Sequence, residues 1–94
     1  MTKHLLIAAI ILAHDAPSGW QYPNDCCSDR DCREVPCEQI TRLSTIYRYR
    51  TSASIYLDFP ENKHRYSGDG RCHVCILYGS QSPTCIFTPI PAGV

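Results

Sequence analysis

Nowhere in the 94 residues is there an apolar stretch long enough to cross a bilayer as a helix. The longest, Leu5 to Ala13, has nine residues, against about 20 for a span. Net charge is also missing: nine Lys and Arg balance nine Asp and Glu, so no overall field draws the chain to nucleic acid or anionic lipid. There is no internal repeat and no low-complexity tract. No G-x-S-x-G or H-E-x-x-H string sets a nucleophile or a metal beside a histidine, which leaves His14 and His64 as surface residues. Asp69 lacks the companion carboxylates and distal glutamate of a calcium loop. A c-type haem attachment is excluded as well, because Ile76 and not histidine follows Cys72-His73-Val74-Cys75.

What is there begins at the N-terminus. Lys3 lies in a short leading segment, Leu5 to Ala13 is wholly apolar, and His14 to Gly19 is small and polar. This is the three-part layout of a secretory signal peptide. Cleavage after Ala13 would put Ile11 and Ala13 at the two specificity positions and leave residues 14–94 as a single exported domain, periplasmic or extracellular. A domain of that size has a marginal core and needs staples. All seven cysteines (Cys26, Cys27, Cys32, Cys37, Cys72, Cys75 and Cys85) fall within it. That density marks a disulfide scaffold, and bridges persist outside the reducing cytosol.

Seven cysteines cannot all pair within one chain, so one stays free, holds another molecule or joins two copies as a covalent dimer. Adjacent Cys26 and Cys27 should reach different partners, since a trans peptide points their side chains apart. The odd thiol is expected among Cys26, Cys27 and Cys32.

The pattern after Gly19 predicts a small, disulfide-rich, mainly β fold: two short hairpins or a small antiparallel sheet behind an irregular N-terminal segment. Alternation in Ile46 to Thr51 puts Tyr47 and Tyr49 on one face of a strand and Arg48 and Arg50 on the other. Ile55, Leu57 and Phe59 form the apolar face of a second strand, joined to the first through Thr51 to Ser54. Pro60 to Asn62 breaks it. Ser67-Gly68-Asp69-Gly70 is a turn, with two glycines that tolerate positive φ. Cys72 to Tyr78 and Thr84 to Phe87 make a hairpin around Gly79 to Pro83. Earlier, Ser28 followed by Asp31 suggests one capped helical turn that Pro36 stops.

Acids dominate Asp15 to Glu38 and bases dominate Arg42 to Arg71. Pairing between the two halves inside the molecule explains this more simply than a partner surface does.

The functional reading is a non-enzymatic binding or structural accessory protein, with an unknown protein or envelope ligand as partner and no cofactor. Two alternatives come from the cysteines. Cys72 and Cys75 have the C-x-x-C spacing of a redox couple, with His73 or Arg71 to lower a thiol pKa, but Ile76 and Leu77 continue a strand where active pairs open a helix. Cys26, Cys27, Cys32 and Cys37 with the C-x-x-C supply enough thiolates for zinc, but their spacing departs from the usual knuckle. Trp20 and Tyr22 either close the core or offer an aromatic pair to a ligand.

The strings His14-Asp15-Ala16-Pro17-Ser18-Gly19-Trp20, Tyr22-Pro23, Cys26-Cys27-Ser28 and Asp31-Cys32-Arg33 resemble a family of small uncharacterised exported proteins of proteobacteria and their phages. Gly68-Asp69-Gly70-Arg71 with His73-Val74-Cys75, and Cys85-Ile86-Phe87 with Pro89 and Pro91, are similar to that family's later segments. Glu38 to Lys63 matches by strand character only. The chain departs in having Ser67-Gly68 where the family has Ser-Pro, and in carrying Cys37 and Cys72. The resemblance implies export and cysteine bridging, and no activity. It also implies that Cys37 and Cys72, as two additions to the pattern, pair with each other, closing a loop worth roughly 3 to 4 kcal/mol. Such a bond is compatible with Cys75–Cys85 and not with Cys72–Cys75.

Overall fold

The structure, a computed structural model, describes residues 15–27, 30–77 and 82–92. The expected signal segment, His14 and Ser28 lie outside the described residues. Among the described residues no helix is long and apolar enough to cross a membrane.

The fold is mainly β and contains two sheets and three disulfides. A single helical turn, α1 (Asn24–Cys27), leads into β1 (Arg30–Val35) and a 3-10 turn at Cys37–Gln39. There follow β2 (Ile40–Arg42), β3 (Ile46–Ser52), β4 (Ile55–Pro60), a second 3-10 turn at Glu61–Lys63, β5 (His64–Tyr66), β6 (Cys72–Leu77) and β7 (Pro83–Thr88). One sheet has the order β1-β6-β7-β5, with β5 parallel to β7 and the other pairs antiparallel. The other sheet, β2-β3-β4, is antiparallel throughout.

Strand alternation explains why these sheets stack. On β6, Cys72, Val74 and Ile76 point one way and join Val35, Ile86, Tyr47, Tyr49 and Phe59 in one buried cluster. Cys75, one residue out of phase, joins Cys85, Phe87, Cys26, Tyr22 and Ala16 in a second. The four-stranded sheet is therefore the middle layer. The three-stranded sheet covers one face of it, and the N-terminal segment from Ala16 to Cys26 covers the other.

The tyrosine and arginine faces of β3 are as the alternation predicts: Tyr47 and Tyr49 are buried and Arg50 is exposed. β4 behaves differently along its length. Phe59 is fully buried and Leu57 half-buried, but Ile55 is 58% exposed. Every residue from Arg50 to Tyr56 is exposed. At its tip, Ser52 pairs with Ile55, Thr51 forms a bulge, and the Thr51 hydroxyl donates to the Ile55 carbonyl at 3.1 Å. No non-glycine residue among those described has positive φ, so the two-residue loop is not of the primed hairpin type, and the bulge takes up the resulting twist.

Three local readings are corrected. The helical turn sits at Asn24–Cys27, ahead of Ser28, and Asp31 lies within strand β1. The second strand of the last hairpin starts at Pro83, where a proline needs no ladder donor at the first position. Of the two turn glycines only Gly70 uses positive φ, at 73°.

The bridges are Cys26–Cys85, Cys32–Cys75 and Cys37–Cys72. The last is the bond inferred from the two added cysteines. Cys75 and Cys85 stand opposite each other across β6 and β7 but bond Cys32 and Cys26, which approach from the strand beside them and from α1. With six cysteines paired, the seventh is Cys27.

Candidate functional site

The densest polar chemistry lies where the N-terminal segment crosses β6. His73 follows Cys72 on the strand, so it points away from the main core and under the strap formed by Ser18 to Tyr22. It is completely buried. The Ser67 to Gly70 turn reverses the chain just before β6 and brings Asp69 back over it. Nε2 of His73 lies 3.0 Å from both Asp69 carboxylate oxygens, and Nδ1 lies 3.0 Å from the Tyr22 hydroxyl. A nitrogen facing a carboxylate carries the proton, so in the neutral ring Nε2–H donates to Asp69 and Nδ1 accepts from Tyr22. The Ser18 hydroxyl and the Arg71 amide also donate to Asp69. Burial alone would raise the Asp69 carboxyl, but these donors and the nearby imidazole outweigh it and hold the group at about 2.

The rings pack as tightly as the polar atoms. Trp20 meets Tyr22, His73 and Phe87 at centroid separations of 5.4, 5.0 and 5.1 Å. Gly68 faces the indole directly, and its missing side chain is what admits Trp20. Trp20 and Tyr22 therefore close the core, the first of the two roles open to them.

Asp69, His73 and Tyr22 have the composition of an acid–base relay but not its access. A hydrolytic triad needs a reachable nucleophile on the second ring nitrogen. Here that nitrogen meets a tyrosine that is only 3% exposed. The cluster ties the strap to the sheet.

The cysteine alternatives are corrected by the bridges. Cys72 and Cys75 point to opposite faces of β6 and bond Cys37 and Cys32, so they are not a redox couple with each other. Cys26, Cys32 and Cys37 are each held in a disulfide and are not available as thiolates. Among the described residues no group of three or more His, Cys, Asp or Glu is arranged to hold a metal ion.

His64 is no free surface residue either. It stacks on Tyr47 with centroids 4.1 Å apart, shares a 2.7 Å hydrogen bond with the Thr88 hydroxyl, and meets Tyr66 edge-on. The Arg42 guanidinium lies over the Tyr47 ring, 4.7 Å from its centroid, and pairs with Glu61. Burial, reinforced by Arg42 and partly opposed by Glu61, lowers the His64 pKa.

The charge segregation resolves into contacts. Arg65 pairs with Asp25 and Arg71 with Glu34, so two bases of the second half meet two acids of the first. Being exposed, each pair contributes about 0–1 kcal/mol.

Comparison with protein-family models, curated proteins and solved structures yields no match.

Proposed function

We propose that this chain is an exported, disulfide-stapled module that acts by binding and not by catalysis. The observation that carries this reading is where the reactive groups lie. His73 and Asp69 are spent on each other under the strap, and six cysteines are spent on bridges, whereas Ile55, Tyr56 and Arg50 stand exposed on the β3–β4 hairpin. Tyrosine and arginine are among the residues that dominate protein interfaces. Export is supported by the bridges, by the N-terminal layout, and by the resemblance to small exported proteobacterial and phage proteins.

The test is to express the full chain in a bacterium and recover it from the periplasm. Intact mass should match a chain starting at or near His14 and lighter by six hydrogens, as three bridges require. A full-length cytosolic product with seven reactive thiols would overturn the reading. So would oxidation of a dithiol substrate to its disulfide by the oxidised protein, turned over with oxidised glutathione as the terminal oxidant, which the binding role does not produce.

A further inference from the structure

The two sheets present four edges, and three of them are protected. β1 carries four charged residues in six, and β2 and β5 are three residues long. Charge and shortness are the usual guards of an open edge. The exception is β4. It has six residues, and its lone charge, Asp58, is committed within the sheet to Arg48, at 2.7 and 3.0 Å. No strand pairs with its outer side among the described residues. Its exposed half also carries two large apolar side chains, Ile55 at 58% and Tyr56 at 50% exposure.

The sequence of this edge is self-complementary. Antiparallel pairing about Leu57 sets Leu57 against Leu57 and Ile55 against Phe59 on one face, and Tyr56 against Asp58 on the other. Apolar thus meets apolar on the first face, on the second the Tyr56 hydroxyl can donate to the Asp58 carboxylate, and the two-fold axis supplies each off-axis contact twice. A shift by one residue would set the faces at odds. The chain has no net charge to oppose a second copy.

We propose that β4 is a homodimer edge, on which a second copy adds its own β4 antiparallel and the two three-stranded sheets become one of six strands. The pairing satisfies the outer backbone groups of β4 and covers Ile55 and Tyr56. It is independent of where the protein works.

The experiment uses the oxidised protein carrying Cys27→Ser, which removes any covalent dimer, and follows mass by sedimentation equilibrium from about 1 µM to about 1 mM. The mass should rise toward twice the monomer, and amide exchange in Ile55 to Phe59 should slow as concentration rises. Ile55→Lys and Tyr56→Lys alter exposed side chains, so both should fold with unchanged circular dichroism and bridges yet associate at least about tenfold more weakly. A parent that stays monomeric throughout overturns the proposal. A dimer that survives both substitutions, or one that leaves exchange in β4 unchanged, places the interface elsewhere and overturns it equally.

Discussion

The indole of Trp20 fills the space in front of Gly68 where any other residue would carry a Cβ: Nε1 lies 2.6 Å and Cδ1 2.9 Å from that position. The ring cannot retreat easily, since Tyr22, His73 and Phe87 surround it. Gly68→Ala should therefore lower stability by about 1–3 kcal/mol through overpacking. Urea unfolding would measure the loss, and the emission of Trp20, the single tryptophan, would report its displacement. An alanine variant with unchanged midpoint and emission would show that the strap yields without cost.

Asp69 should give the protein an acid limb. Its carboxyl is held at about 2, below the ordinary 3.8, and its side chain is only 9% exposed. A lowered carboxylate pKa contributes stability that is complete above about pH 4 and lost as pH falls toward 2. The shift corresponds to something on the order of 2 kcal/mol. Asp69→Asn should be less stable at neutral pH and show a flatter dependence between pH 4 and 2. Asp58, lowered by its hydrogen bonds with Arg48, accounts for part of the slope that remains.

His64 should titrate below its ordinary 6.5. Because folding lowers its pKa, its contribution to stability is present above that value and declines as pH falls below it. The midpoint is readable from the imidazole proton resonances. Arg42→Ala removes a repelling charge and should move it up. Glu61→Gln removes an attracting one and should move it down.

Alkylation without reduction should label one residue, Cys27, and Cys27→Ser should take no label while folding normally. In a Cys37→Ala, Cys72→Ala double variant the count should stay at one and stability should fall by about 3 kcal/mol. Each single variant should expose one further thiol. An unchanged melting point in the double variant would mean that the bond adds nothing.

Much of the β architecture was legible because alternation leaves a trace in long strands. Tyr47, Tyr49 and Phe59 declare their face, and prolines and glycines mark the breaks after β4, before β6 and before β7, though none marks the β3–β4 turn. β2 and β5 are too short to alternate. In β1 five of six residues are charged or cysteine, and its inward Cys32 looks no different from a loop cysteine. The strap cluster was illegible for another reason. His73 between two cysteines reads as a charge beside thiols, and only the sheet puts it on the same side as Tyr22, 51 residues away.

The three bridges lie one inside another: 37 to 72 within 32 to 75 within 26 to 85. No bond interlocks with the next, so the chain can oxidise in any order without threading, and once the inner ring is closed each outer one spans only the few residues added at either side. A protease that nicks the β3–β4 hairpin would leave two pieces joined by all three bonds. A nick between β6 and β7 would leave them joined only through Cys26 and Cys85. The middle of the sequence is thus free to lengthen or vary, clasped at its base, while everything from β7 onward is tied to the rest by a single disulfide.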